Sequence, residues 1–485
     1  MPRRIRPLLL LLLLLTGLHR LAAQTCSCAQ EFTFLTNYME ANHPGLNALA
    51  TSAKATYTRS LKALQEEMRA AAPQEDCILY LQAYFTLIRD HHIRIDPVVP
   101  PIRRFNTADS AALDSFYRST AFKQTVRRTV DSVALARQLQ KVPADGLEGW
   151  YRDPNEQLIA VVPDRQGGWE YSGIVVTSKS RLFPVGTVRY QFRKRPEGVL
   201  WAKLVLPDHQ RLYTEVSLTP MGLPYIGLTR LHAAPGKEEE QTGPYSFSVL
   251  NEQTNYLRLR SFQGHLTQRL SAFYDSIGNE LNARPYLIID IRDNGGGSDG
   301  SFWGLIPYLY TRPIQTDQAD LWVSAGNIRR YEESLQYKKE RADQYAPEVL
   351  EREQQLINRM KAIPPNRFIP LVEGPVATIT SDSVRTFPKR IIVLMNKGCS
   401  SSAEAFIYYA KQSAKVVTMG TESGGMMGFG NVLDFKTPCF GYPFRHTTFK
   451  YRDLQRFEFI GMEPDIRLPA ESDWIQAALR QLEKE

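Results

Sequence analysis

Beyond residue 23 the sequence has no run of about 20 apolar residues, so nothing there reads as a membrane-spanning helix. Cysteine is scarce. The five cysteines (Cys26, Cys28, Cys77, Cys399, Cys439) make no dense disulfide framework, and no spacing among them resembles a zinc site. Charge of neither sign is gathered into a block, and basic and acidic residues alternate along the chain, so nothing points to nucleic acid. A chain with 43% hydrophobic and 23% charged residues is neither disordered nor fibrous, and 485 residues leave room for roughly three domains.

What is present begins with a leader. Arg3, Arg4 and Arg6, the run Leu8 to Leu15, and Leu21-Ala22-Ala23 have the form of a signal peptide, with cleavage expected after Ala23. Its apolar run is too short to span a bilayer. The leader holds four arginines and no acid, so a formal charge of +8 falls to +4 once it is removed. The expectation is an exported, soluble protein, periplasmic or extracellular, whose cysteines can form disulfides. Cys26 lacks the small residues that precede a lipoprotein cysteine, which disfavours a lipid anchor.

The most informative stretch runs from Ile391 to Gly430. An apolar run (Ile391 to Met395), a Gly/Cys/Ser turn, an apolar-periodic segment (Ala403 to Ala414) and a second apolar run (Val416 to Met419) predict strand, helix, strand. Ser401 falls at the helix start, where free N–H groups and the positive dipole end suit an oxyanion beside a serine nucleophile. Ser401-x-x-Glu404 is equally a capping box, which needs no function. A second stretch weighs on that choice. The buried-strand candidate Tyr286 to Ile291 leads into Arg292-Asp-Asn-Gly-Gly-Gly297, where successive glycines let backbone N–H groups approach a substrate closely. Gly295-Gly-Gly297-Ser-Asp-Gly300 also fits the dinucleotide pattern G-x-G-x-x-G, although charged Arg292-Asp293-Asn294 stands between strand and glycines.

Together DIRDNGGG (290–297 with its strand) and CSSSAEAF (399–406) resemble the C-terminal processing, or tail-specific, proteases. The resemblance implies an α/β fold with a crotonase-like core, and a serine endopeptidase that acts on protein or peptide substrates without metal or organic cofactor. It implies Ser401 as nucleophile, with Gly295, Gly296, Gly297 and Ser402 as oxyanion donors. One branch of this family takes its base from a lysine in the Gly-rich turn after the second strand. Here that turn is Glu422-Ser-Gly-Gly-Met-Met-Gly-Phe-Gly430, with Met426 at the lysine position, and a thioether is no useful base. The chain is therefore similar to the tricorn-core-like branch, whose histidine stands in an Asp-x-His context after a helix. Asp90-His91-His92 supplies it, with His92 the match and His91 a rival, and His91 stands where that branch carries a serine. Glu458, ahead of Gly461-Met-Glu-Pro-Asp465, matches the glutamate implied as third member. A catalytically silent peptide-binding protein on the same fold is the alternative.

Around these motifs the pattern predicts an N-terminal helical region at 24–147, with helices over Phe32 to Asn42, Ala48 to Ala71, Asp76 to Arg89 and Ala121 to Lys141. Short β-rich runs with Gly turns predict a small antiparallel barrel or sandwich over 148–234, with Met221-Gly-Leu223 a weak candidate for a carboxylate-binding loop. A polar linker, Pro235 to Gly243, precedes the core at 244–485. Dense charge at about 327–362, broken at Pro347, predicts a helical insertion: a solvated excursion, a lid or an oligomer contact.

Overall fold

The computed structural model describes residues 26–71, 76–143, 146–166, 168–195, 198–219, 221–231, 243–469 and 472–484. The leader, and the linker but for Gly243, lie outside the described residues. The fold is α/β with separate antiparallel sheets.

A six-stranded sheet forms the core, in the order 245–251, 254–259, 286–290, 390–395, 416–420, 466–467. The first pair is an antiparallel hairpin and the other pairs are parallel. Its central strands are mostly apolar on both faces because both faces are covered, with Asp290, Arg390 and Thr418 the exceptions. Leu287, Ile289, Ile391, Val393 and Met395 point to one face, under the helices Thr267–Ser276 and Ser402–Ala410. The alternate residues Ile288, Ile392 and Leu394 meet Trp474, Ala478 and Leu482 of the closing helix Trp474–Glu483 on the other. Each such Ile or Leu contributes about 1.5–3 kcal/mol by leaving water. After the glycines come only 3-10 turns and the four-residue helix Ile306–Leu309, so the helix N-terminus that a dinucleotide fingerprint needs is not formed there.

A second sheet is built on the strand Pro443–Tyr451. One edge of that strand pairs with Phe429–Lys436; the other pairs with Ala319–Val323 and, in the register Arg94↔Arg445 and Ile95↔Phe444, with the two residues that follow His92-Ile93. The helices Ala325–Lys339 and Pro347–Ala362 dock on this sheet through Tyr331, Leu335, Ile357 and Met360 against Leu321, Val323 and Phe449. The charged insertion thus has a packed apolar face of its own.

The N-terminal helices Cys28–Asn42, Thr51–Ala71 and Cys77–Thr86 lie beside that sheet. Cys77 to Phe85 are all buried, as befits a helix apolar on every side. Disulfides join Cys28 to Cys77 and Cys26 to Cys439. The expected long helix over Ala121 to Lys141 is instead two short ones, Thr120–Lys123 and Ser132–Leu139, the second N-capped by Asp131. The β region, expected as a small antiparallel barrel or sandwich, is one eight-stranded antiparallel sheet that runs from 211–217 to 222–223. Its Trp201 and Tyr213 share a core with Tyr80 of the buried helix, so packing crosses the boundary drawn at 147/148. Gly222 and Leu223 pair with Thr229 and Leu228, and the Met221 carbonyl accepts the Arg230 N–H, so this segment is no free loop for a carboxylate.

Candidate active site

Two glycine-bearing turns at the C-terminal ends of adjacent parallel strands are laced together. The Ser400 N–H donates to the Asn294 carbonyl (3.0 Å), Cys399 Sγ to the Ile291 carbonyl (3.0 Å), and the Asp293 N–H to Asn396 Oδ1 (2.9 Å). Gly296, at φ 84°, lies so close that a Cβ there would stand 2.3 Å from the Ser400 carbonyl oxygen and 2.9 Å from the Ser402 nitrogen. Only glycine fits. Upstream, the buried Asp290 carboxylate is gripped by Arg258, Arg292 and Tyr256; burial alone would raise its pKa, and the two guanidiniums hold it down instead.

Ser401 sits where strand Arg390–Met395 and its turn pass into helix Ser402–Ala410, with φ 54° and ψ −121°, a conformation that favours glycine. Glu404, fully buried, receives the Ser401 N–H (3.1 Å) and also the N–H groups of Gly425 (2.9 Å) and Met426 (2.7 Å). The glutamate half of the capping box is therefore real, and it ties the Ser401 turn to the second Gly-rich turn.

Ser401 Oγ lies 3.1 Å from His92 Nε2, within the reach of a base. His92 is delivered by the buried helix Cys77–Thr86 and the short strand Arg94–Ile95. Behind it stands Asp90, whose Oδ1 accepts the His92 backbone N–H (2.7 Å) and lies 3.5 Å from His92 Nδ1, an ion-pair distance longer than a formed hydrogen bond. Asp90 Oδ2 accepts from Thr447 Oγ1 (2.6 Å) and contacts His43 Nε2 (3.0 Å). Burial works to raise the Asp90 pKa, but the hydrogen bonds from His43 and His92 hold it far below the usual carboxylate range. For His92, burial works downward, and Asp90, then Glu458 and Glu404, carry its pKa above the ordinary value.

Ser401 and His92 are brought together as the sequence implied, and the geometry adds Asp90, which sequence reasoning noted only as context for the histidine. Glu458 is close but does not bond to the His92 ring. Its Oε1 accepts the His91 N–H (2.9 Å) and its Oε2 the Gly428 N–H (2.6 Å). Burial pushes the Glu458 pKa up to about 7, with the His91 N–H opposing. His91 is committed elsewhere, its Nδ1 2.8 Å from the Gly425 carbonyl oxygen and its ring against Phe459. Met426, at the lysine position, gives its backbone N–H to Glu404. Of the four residues expected to donate to an oxyanion, Gly296 needs correction: its N–H already donates to Asn294 Oδ1 (3.0 Å). Among the described residues the N–H groups of Gly295, Gly297 and Ser402 make no hydrogen bond, and Ser402 is the first residue of the helix. A hydroxyl beside an imidazole, an ionised carboxylate behind it and unspent N–H groups nearby are what acyl transfer requires.

No curated protein matches the chain. Solved structures overlap it at TM-scores below 0.5: mature CPAF (13% identity, 91% of this chain and 92% of that one, TM-score 0.46), the photosystem II D1 C-terminal processing protease (14%, 95% and 98%, 0.38) and the tricorn protease (12%, 94% and 37%, 0.31). Residues 253–468, a region that holds Ser401, the Gly295 to Gly297 turn and Glu458 but neither Asp90 nor His92, match Peptidase family S41.

Proposed function

We propose that the protein is a serine endopeptidase of the histidine-dependent kind, acting on protein or peptide substrates. The observation that carries this reading is the 3.1 Å approach of His92 Nε2 to the hydroxyl of Ser401. Ser401 attacks the carbonyl carbon while His92 Nε2 takes its proton; the same proton passes to the leaving amine as the acyl-enzyme forms, and water repeats the cycle in reverse. Asp90 stabilises the imidazolium, and the N–H groups of Gly295, Gly297 and Ser402 are the candidates to receive the oxyanion. Glu458 acts through the backbone, holding the His91 peptide against the Gly428 turn. Met426 at the lysine position supports the branch without a lysine base, and the parallel strands ending in two glycine turns support a crotonase-like core.

We also propose export. Support comes from the leader-like residues 1–23 and from the disulfides Cys26–Cys439 and Cys28–Cys77, a bond type that persists in oxidising compartments.

The test is hydrolysis of an unfolded protein substrate by wild type and Ser401→Ala. The expected loss is on the order of 10⁴ to 10⁶ in kcat. A variant within tenfold of wild type would refute the nucleophile, and a folded wild type that binds peptides without cleaving them would favour the silent binding protein.

A further inference from the structure

We propose that His43 is a positioning residue of this site: from the far side of Asp90 it fixes the carboxylate in the orientation that serves His92. The inference rests on the reading of Ser401 and His92 given above. His43 is fully buried, at the junction between helix Cys28–Asn42 and the short helix Pro44–Asn47, and 47 residues before Asp90.

The tautomer of His43 follows from its neighbours. Its Nδ1 accepts the backbone N–H groups of Gly45 (3.1 Å) and Leu46 (3.3 Å), as an N-cap does. A nitrogen that accepts these bonds carries no proton, which leaves the ring hydrogen on Nε2. That nitrogen lies 3.0 Å from Asp90 Oδ2 and donates to it. The ring is held by packing as well: a Cβ on Gly45 would stand 2.8 Å from His43 Cε1 and 2.9 Å from Phe429 Cζ.

The two oxygens of Asp90 thereby acquire separate duties. Oδ2 takes the hydrogens of His43 and Thr447, and Oδ1 is left to the backbone N–H and ring of His92. Without the donors on Oδ2, a buried carboxylate would turn, or take up a proton, and stop supporting protonated His92. The surrounding frame keeps the pair in register. Helices Cys28–Asn42 and Cys77–Thr86 are joined at their N-terminal residues by a disulfide, and just beyond their C-terminal ends by the His43–Asp90 contact. The other titratable groups facing this arrangement are Glu458 and Glu404 beside His92, and the buried His446, whose ring centre is 6.3 Å from that of His43.

Two substitutions separate a positioning role from helix capping. His43→Asn keeps an acceptor for the Gly45 and Leu46 N–H groups but does not reach Asp90; His43→Gln extends an N–H to Asp90 but is a poor cap. The readout is the rate of covalent labelling of Ser401 by a fluorophosphonate, followed against pH on the full chain, with melting temperature and near-UV circular dichroism as folding controls. The expected result is a drop of about 10- to 100-fold for His43→Asn, the range seen when the partner that orients a metal-ligating histidine is lost. Its acid limb should move to lower pH, because Asp90 no longer supports protonated His92. His43→Gln should stay within about threefold of wild type. The opposite order, glutamine impaired and asparagine normal, assigns His43 to capping alone and overturns the proposal, as does slowed labelling with an unmoved acid limb. Should the asparagine variant not fold, Thr447→Val removes the other Oδ2 donor: slower labelling with a lowered limb upholds the arrangement and wild-type labelling overturns it. A folded wild type with no label on Ser401 overturns the functional reading itself.

Discussion

Ser401 occupies a backbone conformation that a side chain disfavours, and the cost can be measured by removing first its hydroxyl and then its Cβ. At φ 54° and ψ −121°, a non-glycine residue costs about 1–3 kcal/mol, which the laced turns around it must sustain. Ser401→Ala removes the hydroxyl and keeps the strain. Ser401→Gly removes both, at an entropic cost of about 0.5–1 kcal/mol in the unfolded chain. The glycine variant should therefore be the more stable of the two by about 1 kcal/mol. The core predicted at 244–485 is of a size at which 1 kcal/mol shifts the melting temperature by about 2–4 °C. Thermal denaturation of the two variants side by side measures the difference without reference to any substrate. A glycine variant melting at or below the alanine variant would refute the view that the fold strains this position to present the hydroxyl.

His92→Ala should lower turnover by about 10³-fold or more, measured as kcat/KM on an unfolded protein substrate. Ser401 reactivity should rise with pH through a titration above the ordinary histidine value of about 6.5, because Asp90, Glu458 and Glu404 outweigh burial at His92. The stability that His92 contributes has the opposite sign: it is fully present below about pH 6.5 and is lost as pH rises through the folded-state pKa, so labelling rate and melting temperature should move oppositely there. Glu458→Gln leaves either the His91 or the Gly428 N–H facing an amide donor, a loss of about 1–3 kcal/mol that should slow labelling about 10- to 100-fold. Wild type should also lose stability relative to that variant as pH rises from 4.5 to about 7, the span over which burial has moved the carboxyl, and melting curves against pH measure it. Cys28→Ser with Cys77→Ser should cost about 2–4 kcal/mol in denaturant unfolding and slow labelling, by freeing the helix that delivers His92.

The parts of the core that obey a simple period were legible in the sequence. Ile391 to Met395 and Val416 to Met419 are strands within a residue or so of where apolar runs place them, and the closing helix from Trp474 follows its three- and four-residue spacing. Ser401 was legible because strand, turn and helix start are local signals. Asp90 was in plain view two residues before His92, yet its role depends on His43 and Thr447, donors 47 and 357 residues away that no local pattern connects. Gly296 misled for a related reason. A glycine triplet announces close approach, but which N–H is spent on Asn294 is decided by the turn's own side chains. Glu458 was found through a motif, and its bonds to two backbone N–H groups depend on tertiary packing. The helix expected over Ala121 to Lys141 breaks because Asp131 caps a new start, a signal present in the sequence but outweighed by apolar periodicity.

The central claim, that His92 activates Ser401 for nucleophilic attack, is tested most directly by peptide mapping after fluorophosphonate labelling of the folded wild-type chain and of His92→Ala at one pH above the histidine titration. The expected result is a single adduct on the peptide that contains Ser401, formed at least about 100-fold more slowly in the variant. Label on another residue, or equal labelling of Ser401 in the two proteins, would contradict it.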